Sequence, residues 1–417
     1  MRIAYVSDYL PGYHKRAGGA DWASLRIGEL VSGSNISIDY YVRPPDKKET
    51  KKEGNIRYVP IIEKFLPLAI TKYVEAAKWC ILQIDLLSLF YFFQEFMRNR
   101  PDILHMHRFR AITMSPILVA SLLKIPIYFS VYDYWMFCTL ETLIDDKNHI
   151  CRRFHGVWCW RCLPKRMVWL QQGLLLFRKR LFDWAMRRID KFVVLSRSSA
   201  QILNDYGINA KKITIIPLPY GQKIRAVNTE EIPERDTLLY VGWIQKRKGL
   251  DILLRALELV KKEAPGVKLN IIGPDVLWEK DYRYSVDSLI QELSLTKNIV
   301  WLGPRPNESV QSFIRRSEII IVPEQWENMS PVIVGEAMFN QRPVIGSRLG
   351  GIPDFVSDNK TGLLFEASSP SDLAEKILYL LKNKNIAIQM GKSARGLAEE
   401  IFSEDKIRER YLNLYSK

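Results

Sequence analysis

Short apolar runs alternate with longer segments of helical period along the whole chain. In the first half the runs Arg2–Ser7, Ile36–Val42, Ile103–His107, Ile125–Val131, Lys191–Leu195 and Ile213–Pro217 read as strands. In the second half Thr237–Val241, Val267–Ile272, Asn298–Leu302, Ile319–Pro323 and Pro343–Gly346 do so. These runs are continuously apolar rather than alternating, as strands buried on both faces of a parallel sheet must be. Helical patterns such as Ala20–Leu30 and Leu250–Glu263 separate them. The repeating unit is therefore βαβ, and the predicted fold class is α/β, with two doubly wound, Rossmann-like domains facing each other across a cleft. Pro217–Asp236 holds three prolines, a glycine and mixed charges, the composition of a linker. The expected domains are 1–220 and 221–401, with the charged amphipathic segment 402–417 packing back on the first as a helix.

Length fits this division, since 417 residues exceed one ordinary domain. No window of 18 or more uncharged apolar residues occurs, so no spanning helix is expected. The start, MRIAYVSDYL, enters a strand pattern without a basic region and apolar stretch, so no secretory leader is expected either. The expected location is cytoplasmic.

Charge changes the picture. The net charge of +15 is uneven: residues 1–227 carry 35 Lys and Arg against 19 Asp and Glu, and the remainder is nearly neutral. Within the first half, residues 152–191 hold 11 basic and 2 acidic residues. A nucleic-acid binder would usually be basic more uniformly, so no nucleic-acid partner is expected. In 152–191 the basic residues interleave with Trp158, Trp160, Trp169 and Trp184. Tryptophan among Lys and Arg is the signature of a surface that meets anionic headgroups, so an anionic membrane partner is expected, with Phe65–Met97 adding to the same face. An amphipathic helix packed on its own domain would show a similar pattern.

Candidate chemistry sits where strands end. Gly18-Gly19 lies between the first strand and a helix, where bare backbone amides can approach a phosphate. Gly242–Gly249, GWIQKRKG, places Arg247 and Lys248 just before another helix, and both side chains suit phosphate. In Trp326–Phe365, Ser330-Pro331 reads as a helix start with Ser as N-cap and Pro at the first helical position. The free amides and positive dipole end of that helix suit a phosphate. Glu327 precedes it. Glu336 lies in the apolar context PVIVGEAMF, where a carboxylate needs a partner. Four of five cysteines fall in one window, Cys138, Cys151, Cys159 and Cys162, the last two as C-x-x-C. In a reducing compartment a structural zinc site with all four thiolates as ligands is expected, with two disulfides or free thiols as the open alternatives.

In order and spacing these residues resemble glycosyltransferase family 4, retaining enzymes of the GT-B fold that use nucleotide sugars. The resemblance runs through Gly18-Gly19, Arg247-Lys248-Gly249, the acidic pair, Glu336-Ala337-Met338, Arg342-Pro343-Val344, Gly350-Gly351-Ile352-Pro353 and Thr361-Gly362-Leu363-Leu364. It implies that Gly18 and Gly19 contact the diphosphate of a UDP- or GDP-sugar and that Lys248 and Arg247 neutralise it. Glu336 would take the ribose hydroxyls and Glu327 would face the donor sugar. The backbone of Met329, Ser330, Pro331 and Val332 would cradle the phosphates. It implies front-face transfer of a hexosyl group with retention and no metal cofactor for catalysis. The acceptor is expected to be a lipid-linked glycan or another membrane-surface glycoconjugate, on the cytoplasmic face. Three departures stand out. Eight residues separate Glu327 from Glu336 where the family has seven, so either the loop bulges or Asn328 takes the first acidic position. Trp243 stands where a Gly-Arg pair is common. Tyr132-Asp133 stands where His-Asp is common, and His107 is a second candidate beside the sugar. The alternatives are a nucleotide-sugar epimerase or hydrolase of the same fold, and a non-catalytic, membrane-associated sugar-nucleotide binder.

Overall fold

The computed structural model describes the chain except residues 15–16, 34, 46–53, 68, 72–73, 75–77, 79–82, 148, 164–167, 221–231, 277–278 and 417, and the side chains of 168–172. The described residues divide into two compact units. Met1–Leu195, Ala200–Pro219 and Asp405–Lys417 make the first, and Ser196–Ser199 with Tyr220–Glu404 make the second.

The first unit is built on seven strands: β1 (Arg2–Ser7), β2 (Ser37–Val42), β3 (Ile56–Tyr58), β4 (Ile103–Arg108), β5 (Ile127–Ser130), β6 (Lys191–Val194) and β7 (Ile213–Ile215). They form one sheet in the order β3-β2-β1-β4-β5-β6-β7, with every pairing parallel. Helices Gly19–Val31, Leu86–Arg98, Ser115–Leu122 and Val168–Arg188 belong to this unit. So does the C-terminal helix Glu404–Tyr415 from Asp405 onward. Its Ile407, Tyr411, Leu414 and Tyr415 join Ile3, Tyr5, Ile38 and Ile103 in one buried cluster. Polar bonds fix it there: the Tyr415 hydroxyl lies 2.6 Å from that of Tyr5 and 2.7 Å from Nδ1 of His105. Arg408 donates to the Leu30 carbonyl at 2.9 Å.

The second unit has six strands: β8 (Thr237–Val241), β9 (Lys268–Ile272), β10 (Ile299–Gly303), β11 (Ile319–Val322), β12 (Val344–Ser347) and β13 (Gly362–Phe365). Their order is β10-β9-β8-β11-β12-β13, again all parallel. Helix Leu250–Glu263 shows why the core closes. Leu250, Leu253, Leu254, Leu257 and Val260 repeat at helical spacing and are all buried. Helix Pro370–Lys382 packs beside it, started by Ser369, whose hydroxyl accepts from the Asp372 amide at 3.3 Å.

All eleven expected strands are present, with ends within a few residues of their expected places. Two were missed, β3 and β13. Both are edge strands of three or four residues. One helix start differs. The helix runs Val332–Phe339 and its N-cap is Pro331, with ψ of 114°. That ψ is extended, so the proline stands outside the first turn. Ser330 does not cap, and its buried hydroxyl has no hydrogen-bond partner.

Candidate nucleotide-sugar site

In the second sheet the chain reverses direction of growth between β8 and β11. Ligands of open parallel sheets lie beyond the carboxyl ends of the strands at such a point. The loop after β8 carries Arg247 and Lys248, and the loop after β11 carries Glu324 to Asn328. Two features hold the loops together. Gly249 has φ of +70°, and a Cβ there would run into the Pro323 carbonyl, so only glycine permits the approach. The Gln325 amide donates to the Arg247 carbonyl at 2.8 Å.

The charges on these loops are ordered by one residue that the sequence reading overlooked. Glu324 is buried. Its Oε1 lies 2.6 Å from Lys248 Nζ. Its Oε2 accepts from Asn328 Nδ2 at 2.8 Å and from the indole N–H of Trp326. Arg247 lies over the Trp326 ring, 4.2 Å from its centroid, and its Nε donates to Gln245 at 2.9 Å. Both cations are thus held by the loop after β11. In sequence Glu324 is only a carboxylate two residues beyond an apolar strand, and its bonds alone set it apart.

Glu327 is also buried, and Ser198 donates to its Oε2 at 3.1 Å. Asn328 has a different job. Its side chain bonds Glu324 and accepts from the Ser330 amide at 3.3 Å, and its carbonyl accepts from Gly351 at 2.7 Å. Asn328 is therefore committed to shaping the loop. Met329 and Pro331 are buried, while Val332 is exposed at the head of the helix. Glu336 lies in the second turn of that helix and is buried. Its Oε1 accepts from Asn307 and Gln311 at 3.0 Å each. Burial pushes its pKa up to about 7, and the two amides partly offset this.

In the first unit Gly18 is the N-cap of helix Gly19–Val31, and its amide already donates to Asp21 Oδ2 at 2.8 Å. Asp21 is fully buried and also bonds Ser7 and Arg108. Nothing crowds a Cβ at Gly19, so the fold itself does not demand glycine there. The Tyr132 hydroxyl lies 3.1 Å from His107 Nδ1, and the rings stack. Desolvation lowers the His107 pKa well below its usual value, and His105 beside it adds to the shift. Its Nε2 is buried without a partner. Asp133 accepts from the Trp135 amide at 3.0 Å.

Cys138, Cys151, Cys159 and Cys162 are free thiols. Among the described residues no group of three or more His, Cys, Asp or Glu is placed to hold a metal ion. Burial raises the pKa of Cys138, Cys159 and Cys162.

Two family models match this chain. Residues 223–397 match glycosyl transferases group 1, and residues 72–220 match Glycosyltransferase Family 4. The chain belongs to the glycosyltransferases of the family 4 type. It is 29% identical over 228 residues to an uncharacterized glycosyltransferase of Methanocaldococcus jannaschii, covering 54% of this chain and 59% of that protein. It is 28% identical over 278 residues to the trehalose synthase of Thermococcus litoralis, covering 62% of this chain and 63% of that protein. The chain thus matches about three fifths of these relatives' length. The solved structure of Anabaena HepE in complex with UDP is similar over 100% of both chains, with a TM-score of 0.68 at 13% identity. That likeness carries the fold: two parallel-sheet Rossmann-like domains of the GT-B class.

Proposed function

We propose that this protein transfers a hexosyl group from a nucleotide diphosphate sugar to an acceptor hydroxyl with retention at the anomeric carbon. The observation that carries the reading is the pair Arg247 and Lys248, held by Trp326 and Glu324 at the carboxyl ends of β8 and β11. A UDP- or GDP-sugar is the donor. Lys248 and Arg247 balance its diphosphate, with the amides of Met329 to Val332 beside them. Of the first unit's glycine pair only Gly19 is left as a candidate for the same group, since Asp21 takes the Gly18 amide. Glu336 accepts the ribose hydroxyls, and Glu327 faces the sugar. The bond from the anomeric carbon to the diphosphate oxygen breaks as the acceptor oxygen bonds to the same face. The acceptor proton passes to the departing diphosphate. Negative charge builds up on that diphosphate, where fixed cations and helix amides stabilise it most. No metal is needed for this step. Tyr132, Asp133 and His107 are the first unit's candidates beside the sugar. Since burial keeps His107 neutral, its ring and the Tyr132 hydroxyl act there as hydrogen-bonding groups.

The acceptor is a lipid-linked glycan or a related membrane glycoconjugate, and the enzyme is peripheral on the cytoplasmic face. Exposed Trp158 with Arg153 over its ring, on a strongly basic segment, supports that location. The test is a thermal-shift screen with UDP-, GDP- and ADP-sugars. A ligand that binds the native state raises Tm with the logarithm of its excess over Kd. The expected result is a rise with UDP- or GDP-sugars that Glu336→Ala abolishes. No shift with any nucleotide sugar would reject the reading.

A further inference from the structure

Helix Leu86–Arg98 carries two apolar stripes. Ser88, Phe92 and Phe96 form the buried one. Leu86, Phe90, Phe93 and Met97 recur at i, i+4, i+7 and i+11 on the other, and they are 70%, 61%, 40% and 62% exposed. A surface helix ordinarily turns polar residues to solvent, so a second apolar stripe needs an occupant. This stripe borders an open groove of about 690 Å³ between helices Leu86–Arg98, Ser115–Leu122 and Val168–Arg188. Leu89, Phe90, Phe93, Leu118, Leu122 and Trp184 supply most of its apolar wall. Among the described residues the only charged ones in the wall are Lys124 and Arg188, and no carboxylate lines it.

Those cations are gathered at one end. Lys124 follows helix Ser115–Leu122, and Arg188 closes helix Val168–Arg188. Arg100 follows helix Leu86–Arg98 and donates to the carbonyl of Leu123 at 2.7 Å, beside Lys124. Each stands just before a strand, β4, β5 or β6. The basic end of the groove is thus the amino-terminal side of the sheet. Tyr132 and Asp133 follow β5 at the opposite, carboxyl end.

We infer that this groove holds the hydrocarbon chain of an anionic membrane lipid, with the headgroup on Lys124, Arg188 and Arg100. An apolar trough with positive charge at one end alone matches an amphiphile that has an anionic head and an apolar tail. Because the head end is the end remote from Tyr132, the lipid in the groove is an anchor and not the acceptor. This inference rests on the membrane reading above, and it moves the main contact from the Trp-rich loop to the helices behind the sheet.

The test is co-sedimentation with vesicles of phosphatidylcholine alone and of phosphatidylcholine with phosphatidylglycerol. Wild-type protein is expected to bind only the anionic vesicles, and less at high salt. The double variants Phe90→Ser/Phe93→Ser and Lys124→Glu/Arg188→Glu should each cut partitioning by about tenfold or more. Both pairs are solvent-facing, and circular dichroism checks that each variant folds. Both should keep the thermal shift with donor, so loss of donor binding is a separate failure from loss of vesicle binding. Wild-type partitioning by both variants, or no binding of anionic vesicles by wild type, would overturn the inference. So would a wild-type dimer in solution that Phe93→Ser makes monomeric, since the groove would then be an interface between copies.

Discussion

The two units share an architecture but treat the same point of it in opposite ways. In each sheet the strand order reverses beside its first strand, between β1 and β4 and between β8 and β11. In the first unit a buried carboxylate fills that point. Asp8 follows β1 and accepts the amides of Arg110, Ala111 and Ile112 at 2.7, 2.9 and 3.1 Å. A row of converging amides is an anion site, and here the chain supplies its own anion. Asp21 does the same to Gly18 at the nearby helix start. In the second unit the corresponding loops offer Arg247 and Lys248, and Glu324 holds the lysine by its edge. A Rossmann-like sheet therefore does not bind phosphate by virtue of its topology. What differs is what the loops present: carboxylates that take up amides in the first unit, and cations held in place by Glu324 and Trp326 in the second.

Three substitutions test this contrast. The largest effect on stability is expected from Asp8→Ala, which leaves three amides without their acceptor. The cost is about 3 kcal/mol, read by urea unfolding, while the donor-induced thermal shift stays as in wild type. A lost shift would mean that the loop held by Asp8 positions groups that the donor needs. Next comes Lys248→Ala. Donor Kd should rise about 100-fold, or about 2.7 kcal/mol by titration calorimetry. Some stability should go too, because buried Glu324 loses its counter-charge. Adding Glu324→Gln should restore the stability but not the affinity. If affinity returns, Lys248 is a structural partner of Glu324 and not a phosphate ligand.

The smallest effect concerns pH. The Glu336 carboxyl is pushed up to about 7 when folded, from an ordinary value near 4.5. The folded state therefore holds the proton more tightly, and this group adds stability as pH falls from about 7 to about 4.5. Above about 7 its burial costs up to about 3 kcal/mol. The ligand-free variant Glu336→Gln should thus be more stable than wild type by about 2 kcal/mol at pH 8, with the gap closing toward pH 5. The first unit answers acid with the opposite sign. Burial lowers His105 to about 3, so its unfolded form takes up a proton first and stability drains as pH falls below about 6.5. A variant no more stable than wild type at pH 8 would show that the neighbouring amides satisfy the charged carboxylate fully.

The sheets could be read from sequence because their central strands are unbroken apolar runs, which few other structures need. The edges could not. Ile56–Tyr58 contributes three residues with Arg57 among them, and Gly362–Phe365 contributes four. Runs that short carry no period. Glu336 was legible because a carboxylate in an apolar context has to be explained. Glu324 and Asp8 were not, because a carboxylate just after a strand looks like any loop residue until its bonds are seen. For the cysteines, C-x-x-C spacing describes only a turn, whereas a metal site needs every ligand placed around one point, and no group of three or more His, Cys, Asp or Glu is so placed among the described residues.

The C-terminal helix has a consequence for the order in which this protein is made. Residues 1–219 leave the ribosome early, yet Tyr5 and His105 must wait for Tyr415, which is synthesised after the whole second unit. Domains of multidomain chains tend to fold one by one as they emerge. Here the unit translated first is completed last. Until then, the surface that Ile407, Tyr411 and Leu414 will cover stays open to chaperones.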